Sequence, residues 1–315
     1  MTAFRSGEPD FKRDSAGALR AHRAQPTDMG SGIALALGGG FSRGFAHLGV
    51  LEVLEQEHLP ISAIVGTSVG GLLGAAYADG ISFSDLCDLG RKVRLRDFLR
   101  FQHPGQETQG ARKDCIGQLV RERFQASSVE DLAIPTAIVS TDIDTGAPYV
   151  FTRGPLDVAL RASCAFPGLV KPVEFEGRLL ADGCISAPVP TAIAARMHAV
   201  CVLGVSVASN DANSASPENM VKVFDPRFRA SHRSALEPSW SRHADILLEP
   251  QVHQIDWNDF SRVDEAFAAG AEAMRRALPY LREILDRRSQ LAAAHAPAAE
   301  ISPELSFESE RGLTL

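Results

Sequence analysis

Residues 61–78 read ISAIVGTSVGGLLGAAYA, and the interpretation of this stretch decides the fold. A largely apolar run from Ile61 to Val65 leads into Gly66-Thr67-Ser68-Val69-Gly70, which leads into a helix-like segment rich in glycine and alanine. Strand, sharp turn and helix in immediate succession form the context of a nucleophile elbow. Small residues at 66 and 70 let strand and helix approach closely, while the turn lifts the Ser68 hydroxyl above the sheet, near a helix N-terminus. Unpaired N–H groups there favour negative charge. The alternative is a glycine-rich turn whose serine caps the helix.

The same grammar occurs upstream. Ile33 to Leu37 (IALAL) runs into Gly38-Gly39-Gly40-Phe41-Ser42-Arg43-Gly44, which opens a helical pattern from Arg43 to His58. Three consecutive glycines free the backbone to aim several N–H groups at one point. The amides of Gly38, Gly39 and Gly40 therefore suit an oxyanion hole, with Arg43 either holding the loop or attracting an anionic substrate group. A dinucleotide loop is excluded because Arg43 occupies the third glycine position counted from Gly38, and a Walker loop is excluded for want of Gly-Lys-Ser/Thr.

Working outward, short apolar runs alternate with helical patterns, which predicts βαβα units around a mainly parallel sheet. Further strands are expected at Thr136 to Thr141, Pro148 to Thr152, Arg178 to Leu180, Ala199 to Val207 and Ile246 to Leu248. Helices are expected at Ser84 to Val93, Arg112 to Phe124, Leu156 to Cys164, Pro190 to Met197 and about Asp259 to Arg288, with Pro279 as a bend. Asp144-Thr145-Gly146 reads as a hairpin turn, a local antiparallel feature in a parallel plan. Residues 1–31 and 289–315 read as flexible tails around one domain at 32–288, and Asn210 to Ser241 as a long surface excursion.

Composition narrows the function classes. The 315 residues are 45% apolar and 23% charged, an ordinary globular balance. A formal charge of −7 argues against a nucleic-acid partner, which usually meets a basic excess. Cys87, Cys115, Cys164, Cys184 and Cys201 are odd in number and widely spaced, so neither a zinc site nor a disulfide framework is expected. Met1 to Arg23 lacks the apolar core of a secretory signal, and no window reaches the ~18 to 20 apolar residues of a spanning helix. A cytoplasmic location follows, with any membrane contact peripheral. Val93 to His103 (VRLRDFLRFQH) fits such a contact or a lid; the alternative is a helix whose apolar side joins the core while its arginines stay solvated.

A serine nucleophile needs a base. His232, His243 and His253 fall late enough in the chain for a Ser-His-Asp arrangement but have no motif around them, and His47 on the first helix reads as packing or a helix-face hydrogen bond. Asp182 in Leu179-Leu180-Ala181-Asp182-Gly183 is the better candidate, since it ends an apolar strand and Gly183 permits a tight turn. A carboxylate with an ordinary pKa of ~3.9 works as a base only when desolvated or bonded directly to the hydroxyl. The alternative is a plain Asp-Gly turn.

Gly38 to Gly44, Gly66 to Gly70 and Asp182-Gly183, in that order, resemble the patatin-like phospholipases. The likeness extends to Ile134 through Gly154, to Arg161-Ala162-Ser163 with Pro167-Gly168 and Pro172, and to Ala244 through Gly270, where the pattern is similar to the bacterial branch akin to the neuropathy target esterase catalytic domain. The resemblance implies a three-layer α/β fold with a central, mainly parallel sheet. It implies a serine acyl hydrolase of the phospholipase A or lysophospholipase kind, acting on lipid or lysophospholipid without metal or cofactor. In it, Ser68 and Asp182 form a catalytic dyad and the Gly38–Gly40 loop the oxyanion hole, supported by Arg43, Gly66, Gly70 and Gly183. Rival readings are acyl transfer to an alcohol and a lipid-binding or regulatory module with a decayed site. Cys184 stands where that family has Gly or Ala, which is expected to crowd the turn presenting Asp182, and Asn210 to Ser241 departs from the helical segment of that branch.

Overall fold

The order in which residues alternate along β1 (Ile33–Leu37) explains its central place. All five are buried, with Ile33, Leu35 and Leu37 packed into one apolar cluster and Ala34 and Ala36 into another on the opposite face. A strand covered on both faces belongs inside a parallel sheet. The computed structural model describes residues 32–93, 115–197, 199–207 and 242–295. Within them, β1 is flanked in parallel by β2 (Ile61–Thr67) and β7 (Cys201–Val205); β3 (Thr136–Asp142) and β8 (Ile246–Leu248) extend the parallel set on either side.

Beyond β3 the sheet turns antiparallel. The hairpin expected around Asp144 joins β3 to β4 (Pro148–Phe151), and the Asp142 carboxylate accepts from the N–H groups of Asp144 and Thr145 to close the turn. The antiparallel part is larger than that single hairpin. β6 (Arg178–Asp182) pairs with β3 so that Asp182 lies opposite Ser140, and β5 (Val173–Phe175) pairs with β6. Their two-residue connection, Glu176-Gly177, is left-handed at both positions (φ 49° and 73°), as a tight hairpin turn requires.

Helices cover both faces. On the first lie α1 (Ala46–Gln56) and α2 (Val69–Asp79), which directly follows the 61–67 strand, with α3 (Phe83–Lys92) beyond them. α4 (Cys115–Arg123) and α5 (Leu156–Ser163) add to the same cluster. The longest helix, α7 (Val263–His295), begins later and ends later than expected, after a 3-10 turn at Phe260–Arg262, and Pro279 lies inside it. It crosses α1 at backbone contact: a Cβ on Gly270 would fall 1.8 Å from the Ala46 carbonyl oxygen. On the second face the small residues Ala34, Ala36, Ala63 and Ala137 admit the 187–199 segment, whose helix α6 (Thr191–Ala194) is one turn. The result is a three-layer α/β fold.

No described helix is long and apolar enough to cross a membrane. Residues 94–103 of the expected interfacial stretch, the Asn210 to Ser241 excursion, His232, the 1–31 tail and residues beyond 295 lie outside the described residues.

Candidate active site

Two glycine-bearing turns leave the carboxyl ends of neighbouring parallel strands, the position at which open α/β sheets present their sites. After β2, Ser68 adopts φ 54° and ψ −125°, a conformation that L-residues rarely hold. It persists because its surroundings fix it. The Ser68 N–H donates to Ser163 Oγ at 2.8 Å, and the Ser163 hydroxyl in turn donates to the Val139 carbonyl at 2.6 Å. Gly66 and Gly70 have the expected close approaches, since a Cβ would fall 2.4 Å from Gly71 Cα in the first case and 2.3 Å from the Leu37 carbonyl oxygen in the second.

The antiparallel β3–β6 ladder delivers the partner. Ser68 Oγ donates to Asp182 Oδ2 at 2.7 Å, while Oδ1 accepts from the Cys184 N–H at 2.9 Å. Asp182 is fully buried and Ser68 nearly so. The Asp182 carbonyl accepts from Thr141 Oγ1 at 2.9 Å, and Gly183 passes so close to Val139 that a Cβ would meet its carbonyl oxygen at 2.3 Å. Burial pushes the Asp182 carboxyl from 3.8 up to about 6, against the stabilising bonds from Cys184 and Ser68. Desolvation, the condition that the sequence set for a carboxylate base, is met.

Cys184 is part of this turn. It sits within the 3-10 turn Gly183–Ile185, and its Sγ packs against Gly39, where a Cβ would meet it at 2.0 Å. A second thiol, that of Cys164, lies near Ser68 and Asp182, and desolvation, reinforced by the Asp182 charge, raises its pKa strongly, so it stays protonated.

The three amides of the glycine loop differ in their partners. The Gly38 N–H donates to the Val205 carbonyl at 3.0 Å, continuing the β1–β7 ladder, and the Gly39 N–H donates to the Pro188 carbonyl at 3.1 Å. Neither is free to serve an oxyanion. The Gly40 N–H has no acceptor among the described residues and lies where the loop becomes half-exposed; the Val69 N–H, at the first position of α2, has none either. The donors left by the fold are thus Gly40 and the residue after Ser68.

The other named residues divide cleanly. Arg43 is buried and its Nε donates to the Ile255 carbonyl at 2.7 Å, while Ser42 donates from N and Oγ to the Trp257 carbonyl at 3.1 and 2.9 Å. Arg43 therefore holds the loop to the 255–257 segment. Phe41, next to Gly40, stacks edge-on with Phe166 and Trp257 in a small apolar cluster that includes Ile185. His243 and His253 are exposed, and no histidine among the described residues is hydrogen-bonded to Ser68 or Asp182. No motif marks Ser163 outside the resemblance, because its contacts, Val139 on β3 and Ser68 just after β2, lie 24 and 95 residues away in the chain.

Fold and site together define an α/β protein with a Ser–Asp pair at the carboxyl end of its central sheet. A model of the patatin-like phospholipase family matches residues 35–195, just over half of the chain, and the chain belongs to that family. It is 38% identical over 184 residues to an uncharacterized NTE family protein of Mycobacterium tuberculosis, a match that covers 58% of this chain and 51% of the relative. It is 34% identical over 190 residues to patatin-like phospholipase domain-containing protein 6 of Homo sapiens, across 58% of this chain and 14% of that one. The chain thus spans about half the length of its bacterial relative and much less of the human one. Among solved structures it is similar to VipD from Legionella pneumophila, with a TM-score of 0.47 and 12% identity over 83% of this chain and 67% of that one.

Proposed function

We propose that this chain is a serine acyl hydrolase that cleaves carboxylic esters of lipids, with Ser68 as nucleophile and Asp182 as its base. The observation that carries the reading is the 2.7 Å bond from Ser68 Oγ to a fully buried carboxylate whose pKa burial raises to about 6. Ser68 Oγ attacks the ester carbonyl while its proton passes to Asp182 Oδ2, and the carbonyl oxygen becomes an oxyanion facing the Gly40 and Val69 N–H groups. Collapse expels the alcohol, which takes the proton back from Asp182 and leaves an acyl-Ser68 ester. Water then attacks that ester, giving its proton to Asp182, and the fatty acid leaves as Ser68 recovers the proton. A phospholipid or lysophospholipid is the proposed substrate, met at a membrane surface.

A fluorophosphonate probe tests this directly, because it reports an activated serine whatever the natural substrate. Labelling mapped to the peptide containing Ser68 is the expected result; labelling confined to another serine, or none in protein that is folded, rejects the assignment.

The contact between the glycine loop and Cys184 makes a second test. In Gly39→Ala the new Cβ collides with Cys184 Sγ and presses on Ser68 Cβ, 3.3 Å away. Displacing a reacting group by as little as ~1 Å costs on the order of 10²-fold in rate. Gly39→Ala should show such a loss, and adding Cys184→Gly should recover most of it. Full activity in the single variant, or a double variant as inactive as the single, contradicts this view of the wall.

A further inference from the structure

His47, the second residue of α1, is completely buried beneath the glycine loop. Its Nε2 lies 2.7 Å from the Gly38 carbonyl oxygen. A carbonyl only accepts, so the proton is on Nε2 and Nδ1 carries a lone pair. Nδ1 is buried without a hydrogen-bond partner. A leucine would fill similar space and leave no acceptor unsatisfied, so packing alone does not account for an imidazole here. What the imidazole adds is the Nε2–H bond.

That bond acts on one peptide plane. In a trans peptide the carbonyl of one residue and the N–H of the next point in opposite directions. Here the Gly38 carbonyl is held by His47 and the Gly39 N–H by the Pro188 carbonyl, so the plane is gripped at both edges. Its two flanking glycines offer no side-chain restraint of their own. The next N–H along the chain is that of Gly40, which the loop leaves without an acceptor among the described residues. Past Gly40, Ser42 and Arg43 are tied separately to the 255–257 carbonyls, so the upstream half of the loop is held by His47 together with the Val205 and Pro188 carbonyls, and His47 is the one side chain among these three holds.

We infer that His47 is a positioning residue: through the Gly38 carbonyl it fixes the peptide plane from which the Gly40 N–H is aimed at the oxyanion. It takes no proton from Ser68, because its one N–H is committed to Gly38 and its other nitrogen has no partner. Burial lowers its pKa to about 4, which keeps the ring neutral at ordinary pH. The kinetic consequence rests on the hydrolysis proposed at Ser68; the structural one does not.

Two variants separate the bond from the bulk. His47→Gln places an amide N–H near the position of Nε2, whereas His47→Leu keeps the volume and removes the donor; His47→Met serves in the same way should the leucine variant fail to fold. Hydrogen–deuterium exchange is read on the segment 37–45, and kcat and KM on a p-nitrophenyl acyl ester. The expected result is faster exchange in His47→Leu only, together with a fall in kcat of about 10² and KM within about threefold of wild type. His47→Gln should match wild type in both. Unchanged exchange in His47→Leu, faster exchange without a fall in kcat, or equal impairment of both variants overturns the inference. If the wild-type chain hydrolyses nothing, the hydrolase reading fails, and the exchange comparison still decides whether His47 holds the loop.

Discussion

Ser68→Ala is expected to lose on the order of 10⁶ in kcat, the scale seen when the nucleophile of a serine hydrolase is deleted, and to lose all reaction with a fluorophosphonate. The fold should survive. Alanine keeps the Cβ and removes only the oxygen whose partner is Asp182 Oδ2, and Oδ1 retains its bond from the Cys184 N–H. The backbone supplies an independent check on the same position. At φ 54° and ψ −125° a side chain is strained, by roughly 1 to 3 kcal/mol for conformations of this kind. Glycine tolerates the conformation, so Ser68→Gly should be as inactive as Ser68→Ala yet melt at a higher temperature. Retained turnover in Ser68→Ala would remove the serine from the mechanism, and a glycine variant less stable than the alanine one would mean that the elbow is not strained.

The elbow was legible because its chemistry is local. Gly66 and Gly70 are required by contacts that arise within a few residues or from the adjacent strand, and a run of strand, small residues and helix announces that arrangement. The apolar run Ile33 to Leu37, followed at once by a helical pattern, likewise marked a strand of a parallel sheet. What escaped depends on partners far away in sequence. Nothing in Gly38-Gly39-Gly40 says which amides are consumed; Val205 and Pro188 decide that, and they converge on the loop only once β7 and the turn before α6 have packed beside β1. The role of His47 was hidden for the same reason, since its partner is a backbone carbonyl with no side-chain signature. β5 escaped because three residues, two of them only half-buried, carry no usable periodicity, and Glu176-Gly177 is a weaker turn signal than Asn-Gly or Asp-Gly. The start of α7 was misplaced because Phe260–Arg262 shares the helical pattern while forming a tighter 3-10 turn.

Asp182→Asn separates the two demands that the site makes on one residue. Asparagine keeps the shape: its oxygen can accept from the Cys184 N–H while its amide donates to Ser68 Oγ, so both contacts have a counterpart. It cannot accept the serine proton, and the rate should fall by about 10² to 10⁴, the usual share of general-base catalysis. For the wild type, kcat/KM should rise with pH through about 6 as the buried carboxyl ionises, and that limb should vanish in the variant. Stability should move the other way. The folded pKa of Asp182 is raised from 3.8 to about 6, so the folded state binds the proton more tightly than the unfolded one. The stabilisation from the neutral carboxyl is fully present below about 3.8 and is lost as pH rises through about 6. At pH 8 the buried charge then costs about 3 kcal/mol, a cost that asparagine does not carry. Asp182→Asn should therefore melt above wild type at pH 8 and lose that advantage at pH 4. The matched controls are His47→Gln, His232→Gln, His243→Gln and His253→Gln. If one of them is as inactive as Ser68→Ala while Asp182→Asn still turns over, the base is that histidine and the Ser–Asp dyad is wrong.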